Sequence, residues 1–129
     1  MHFPTNLKYS KEHEWVRVDG RRAVVGITDY AQSQLGDIVF VELPEVGAVT
    51  SEGKRFSVVE SVKAVSDIFA PVGGTVVEIN EILTDAPEKV NNDPYGEGWI
   101  AVIEMPVAAT IENLMDSEAY AEQVAKGGH

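Results

Sequence analysis

The chain has 129 residues, of which 44% are apolar and 24% charged, the composition of one folded soluble domain. Its 21 acidic and 10 basic residues leave a net charge of −11, which argues against a phosphate backbone as partner and suits brief docking on basic surfaces. Cysteine is absent, which excludes disulfides, thiolate metal sites and a cysteine nucleophile, so any sulfur redox chemistry would need an attached group.

No apolar run approaches the roughly 20 residues that span a bilayer. The opening MHFPTNLKYSKEHEW lacks both a signal-peptide core and the Arg-rich character of a transit peptide, so a cytoplasmic location is expected. Strand signals then dominate. Asp19-Gly20 reads as the turn of a hairpin between strands at 15–18 and 23–27. Residues 28–36 read as a short helix, with Thr28 or Asp29 as N-cap and Gly36 as its stop. Further strands are predicted at 38–43, 56–61, 65–70, 75–79 and 99–104. After Pro106 the chain turns helical, over about 107–126. Ile111, Leu114 and Met115 share one helical face, and Tyr120 and Val124 pair behind the caps Asp116 and Ser117. The expectation is one domain over 1–129, with a β core at about 15–105.

A weak internal repeat organises these strands. Val39-Phe40-Val41-Glu42-Leu43 aligns with Thr75-Val76-Val77-Glu78-Ile79, and Phe56-Ser57-Val58-Val59-Glu60 aligns with Ile100-Ala101-Val102-Ile103-Glu104. Matching β units imply two sheets related by a pseudo-two-fold axis, with a longer connector in the second unit.

Lys63 falls between the copies, with strand-like residues on both sides and Pro71 and Gly73-Gly74 closing the return strand. A lysine there belongs at a hairpin tip, and its neighbours Val62 and Ala64 leave the ammonium approachable. Most lysines are simply solvated; a lysine centred in apolar strand material between two repeat halves reads differently, as a modification site. Other chemistry is poorly supported. His13-Glu14 opens like a zinc-protease helix, but position 17 is Arg. The three histidines offer no credible triad, and no nucleophile elbow, dinucleotide fingerprint or P-loop occurs. The stretch 91–98 reads as the longer connector, Trp15 and Trp99 as core, and His2 and His129 as disordered terminal residues.

Lipoyl and biotinyl carrier domains present a modified lysine on such a hairpin. Biotinyl domains flank it with methionine, and the lipoyl domains of 2-oxoacid dehydrogenases place Asp before it. Glu60-Ser61-Val62-Lys63-Ala64, with Ser66-Asp67 and Ala70-Pro71, instead resembles the H-protein family of the glycine cleavage system. The likeness covers almost the whole chain: Lys8-Tyr9, His13-Glu14-Trp15, residues 25–32, Leu35-Gly36-Asp37, Val41-Glu42-Leu43-Pro44 and the stretch from Val90-Asn91 to Trp99 follow in order.

The resemblance implies a mainly β barrel-sandwich hybrid of two quasi-symmetric units, with a short internal helix and C-terminal helices. It implies a non-catalytic monomeric carrier with lipoic acid in amide linkage to Lys63. Its partners would be a lipoate-attaching enzyme and three enzymes of the system. A pyridoxal-phosphate glycine decarboxylase loads an aminomethyl group, a tetrahydrofolate-dependent aminomethyltransferase removes it, and an FAD dihydrolipoyl dehydrogenase takes up the electrons. It further implies a cleft for the loaded arm, with Glu14 and Asp67 at positions that contact the amine. Glu12 stands where some relatives have a small hydroxyl residue, and Gln34 where some have histidine. Three readings stay beside this one: relay of lipoate to other enzymes, a small β-barrel hydrolase and a purely structural module.

Overall fold

The predicted N-terminal hairpin is formed by β2 (Glu14–Asp19) and β3 (Arg22–Ile27) in the computed structural model, which describes residues 1–106 and 111–127. Across the hairpin Trp15 faces Gly26, and a Cβ on Gly26 would stand 2.7 Å from the indole, so a side chain there would displace the ring. The Trp15 indole N–H donates to the Pro94 carbonyl at 2.9 Å, giving this fully buried ring its polar partner.

The elements that follow are α1 (Asp29–Leu35), β4 (Ile38–Glu42), β5 (Val49–Thr50), β6 (Arg55–Ser61), β7 (Val65–Phe69), β8 (Gly74–Ile79), α2 (Ile82–Asp85), α3 (Lys89–Asn92), β9 (Ala101–Glu104) and α4 (Ser117–Ala125). With β1 (Lys8–Tyr9) they build a six-stranded antiparallel sheet in the order β1-β2-β3-β9-β8-β5 and a three-stranded sheet in the order β4-β6-β7. Val25, Ile27 and Ile103 of the larger sheet and Val41, Val59 and Ile68 of the smaller one meet in a single buried core. Each such side chain contributes about 1.5–3 kcal/mol on burial.

The repeat read from sequence is the pairing unit of both sheets. β4 pairs with β6 and β8 with β9, both antiparallel, and the repeat-equivalent pairs Glu42–Val58 and Glu78–Val102 stand in the same register. Both units carry a bulge in their first strand, at Ile38/Phe40 and Val76/Glu78. Lys63 lies on the crossing from the first unit to the second.

Four expectations are corrected. The strand foreseen from Trp99 begins at Ala101, because Asn80 takes the Trp99 and Ile100 carbonyls at 2.8 and 3.0 Å. The connector of the second unit contains the short helices α2 and α3, which were not foreseen. Residues 111–115 form no helix. The Leu114 N–H closes a turn on the Ile111 carbonyl, and Met115 exchanges both backbone hydrogen bonds with Tyr9, at 2.7 and 2.8 Å, which holds it extended. Residues 107–110, part of the same expected helical stretch, lie outside the described residues, as does His129. His2 is not loose either: its N–H donates to Asp29 and its carbonyl accepts from the Tyr95 hydroxyl.

The helix α4 starts as expected at Asp116, whose Oδ1 accepts from the Ala119 N–H at 2.8 Å. Loss of this cap in Asp116→Ala is expected to lower stability by about 1 kcal/mol, measured as a shift in denaturant midpoint at constant slope. Tyr120 anchors α4, stacked on Tyr9 with ring centroids 4.8 Å apart and meeting Phe3 edge-on.

Candidate functional site

Lys63 stands exposed at the tip between β6 and β7. Two-residue hairpins usually need left-handed residues in the turn, yet His13 is the one non-glycine residue with positive φ among the described residues. Ser61 makes up the difference. Its N–H donates to the Ala64 carbonyl at 2.8 Å, and its hydroxyl oxygen accepts from the Lys63 and Ala64 N–H groups at 3.2 and 3.1 Å. The turn is thus held by backbone and Ser61, leaving the lysine side chain outside its bonding.

The tip does not float. The Val62 N–H donates to the Asp37 carbonyl at 3.0 Å, tying it to the loop that follows α1. Asn91 of α3 locks that loop. Its Nδ2 donates to Gln32 Oε1 and to the Gly36 carbonyl, and its Oδ1 accepts from the Ile38 N–H, each at 2.9 Å. Lys63 Cε passes 3.8 Å from where a Cβ on Gly36 would stand, so the lysine stem runs along the end of α1. Val62 and Val65 beside it are exposed, as are Val39 and Phe40 on β4.

Next to this stem a cleft of about 270 Å³ opens between α1 and β7. Tyr30, Ala31, Gln34 and Leu35 of α1 form one wall, Ser66, Asp67 and Ile68 the other, and Glu12 and His13 the end. A second hollow of about 450 Å³ adjoins it, lined by Ser10, Glu12, Glu14, Phe69 and Pro71 among others. Glu12 belongs to both. The structure therefore puts Asp67 and Glu12 in one cleft and Glu14 in the adjoining one, with Glu12 on the shared lip.

The three carboxyl groups differ sharply. Asp67 is half-exposed and stands 3.9 Å from Arg55, a surface pair that contributes little. Glu14 is 1% exposed. Its Oε1 accepts from the Ser10 hydroxyl at 2.5 Å and its Oε2 from the Phe69 N–H at 3.3 Å. Burial pushes its acid up from 4.5 to about 7, and the nearby Glu12 adds to this, against the opposing pull of the Ser10 and Phe69 hydrogen bonds. A group that ionises near neutrality, beside a cleft lined by two other acids, is suited to receive a cation. Among the described residues no cluster of acids or histidines could hold a metal ion.

An exposed amine with fixed backbone, beside a part-apolar cleft with an acidic lip, fits a covalently tethered arm. Ile27, Leu35 and Ile68 offer apolar wall for a hydrocarbon chain, and the carboxyl groups offer partners for an amine at its end. Fold and site together suit a carrier of a covalently tethered group. The model of the glycine cleavage H-protein family matches residues 7–127. The glycine cleavage system H protein of Brevibacillus brevis is 56% identical over 124 residues, covering 96% of this chain and 98% of its own. That of Symbiobacterium thermophilum is 57% identical over 117 residues, 91% of each chain. The crystal structure of an H protein from Mycobacterium marinum superposes with a TM-score of 0.87 at 40% identity, covering 95% of this chain and 99% of that one. The chain belongs to the glycine cleavage H-protein family, whose members are non-catalytic lipoyl carriers of the glycine cleavage system. No described helix is long and apolar enough to cross a membrane.

Sequence reasoning missed two residues of this site. Asn91 was read as connector, and the only signal for it was its place in the family pattern beside Val90. His13 was weighed as a metal ligand and set aside, whereas it lines the cleft between α1 and β7.

Proposed function

We propose that Lys63 bears lipoic acid in amide linkage, installed by a lipoate-attaching enzyme. The monomeric carrier then takes the aminomethyl group of glycine from a pyridoxal-phosphate decarboxylase to a tetrahydrofolate-dependent aminomethyltransferase. It afterwards delivers electrons to an FAD dihydrolipoyl dehydrogenase. The observation that carries this reading is the exposed Lys63, its turn tied through Val62 to Asp37 and its stem running past Gly36 at the end of the α1 wall of an acid-lined cleft. When bound, the lipoyl group supplies the sulfur chemistry that a chain without cysteine lacks. The residues of this chain do the rest. The Ser61 turn presents the lysine, the tether raises the effective concentration at each partner's site, and the cleft shields the cargo from water. Glu14, Asp67 and Glu12 hold its ammonium by charge-assisted hydrogen bonds.

The cargo is lost when water releases ammonia and formaldehyde and leaves the thiol. Neutralising the acids in Glu14→Gln/Asp67→Asn removes an interaction of about 1.5–3 kcal/mol. The loaded variant is expected to decay roughly ten- to a hundredfold faster than loaded wild type, followed as ammonia release without partner enzymes. Equal decay at matched loading would mean that these acids do not hold the arm.

A further inference from the structure

We propose that Tyr120 of the C-terminal helix is a positioning residue for the arm cleft, its hydroxyl tying the His13 end of the cleft to its α1 wall. The proposal rests on the reading of the cleft given above. Tyr120 does not line the cleft; it acts on residues that do.

Its hydroxyl stands 2.7 Å from His13 Nδ1 and 2.7 Å from Thr28 Oγ1. His13 lines the cleft, and Thr28 is the N-cap of α1, accepting from the Ala31 N–H at 3.2 Å. One buried oxygen therefore holds the end of the cleft and the first turn of its α1 wall in fixed relation. His13 needs such a hold. Its backbone is left-handed at φ 73°, an uncommon state for a residue with a side chain, and its ring packs on Tyr30 of the same wall at 5.0 Å.

The rest of α4 contributes to the same end. Gln123 donates to the Lys11 carbonyl at 3.1 Å, next to Glu12 on the lip, and Gly127 just past the helix lines the cleft itself. A hydroxyl donates one hydrogen and accepts others, so the row Thr28–Tyr120–His13 can run with either polarity and keep both bonds. The opposite end of α1 is held separately by Asn91. Losing Tyr120's bonds should therefore loosen the His13 end of the cleft and leave the Lys63 turn in place.

Tyr120→Phe in the lipoylated full-length chain separates these roles, because the ring and its stacking on Tyr9 are kept. The expected result has four parts. The circular dichroism is unchanged and lipoylation at Lys63 runs at the wild-type rate. The Ala31 and Gln32 amides exchange about three- to tenfold faster, and the nitrogen shifts of the His13 ring move. The aminomethyl-loaded arm decays about three- to tenfold faster. A control variant in the buried core outside the cleft lining, Ile103→Val on β9, should lower the melting temperature without accelerating decay. Wild-type exchange and decay in Tyr120→Phe would overturn the proposal, as would equal acceleration in Ile103→Val. If loaded wild type already decays as fast as free aminomethyl-lipoamide, the cleft reading itself fails, and the positioning role falls with it.

Discussion

Lys63→Arg is expected to abolish carrier function while leaving the fold untouched. The attachment reaction needs a nucleophilic amine to form an amide, and the guanidinium of arginine, always charged and delocalised, does not provide one. The turn is held by Ser61, Ala64 and the Asp37 carbonyl, so its geometry does not depend on the side chain at position 63. Stability should stay within about 0.5 kcal/mol of wild type, as for most surface substitutions. Incubation with a lipoate-attaching enzyme should add one lipoyl mass to wild type and none to the variant. Glycine-dependent release of carbon dioxide with the partner enzymes should fall to the level seen without carrier. A lipoyl group found on Lys8, Lys11, Lys54, Lys89 or Lys126 would sink the assignment.

Glu14→Gln is expected to change how stability responds to pH by on the order of 3 kcal/mol. In the folded chain the Glu14 acid is raised to about 7, against an ordinary value of 4.5. Between these values the folded state binds the proton more tightly than the unfolded state does. The stability this confers is fully present below about pH 4.5 and is lost as pH rises through 7. The glutamine isostere keeps an oxygen for the Phe69 N–H and an amide for the Ser10 hydroxyl, and it cannot ionise. Chemical denaturation from pH 4 to 8 should therefore show wild type losing ground to the variant as pH rises. A stability difference that stays constant with pH would mean that Glu14 ionises normally. The same chemistry bears on transport. A cation brought against Glu14 favours its ionised form, so loading near neutral pH should expel part of a proton.

The position of Lys63 at a hairpin tip was legible because two local signals coincided there, a strand pattern on either side and a repeat boundary. The stop at Gly36 and the cap pairs Thr28/Asp29 and Asp116/Ser117 were legible for a similar reason, since capping is decided within one turn of chain, and the structure takes Thr28 and Asp116. What escaped was set by contacts distant in sequence. The apolar spacing of Ile111, Leu114 and Met115 suits a helix, but Met115 finds a strand partner in Tyr9, and two backbone hydrogen bonds override the local preference. The helices α2 and α3 have four residues each, too short to show a period. The burial of Glu14 went unforeseen, because burial of a single acid cannot be seen in a sequence. Tyr120 meets His13 across 107 positions, and no local pattern announces such a pair.

The order β4-β6-β7 leaves β7, the return strand of the lysine hairpin, at a sheet edge. An open edge beside exposed valines invites strand addition by another copy and, from there, aggregation. Here the strand is only five residues long, Asp67 puts a charge at its centre, and the Phe69 N–H is already taken by Glu14. Val62 and Val65 can thus stay uncovered around the lysine because the strand next to them is a poor template for self-assembly. The carboxyl group at position 14 thus occupies an amide at the far end of this edge strand, and replacing it with alanine would free that amide for pairing.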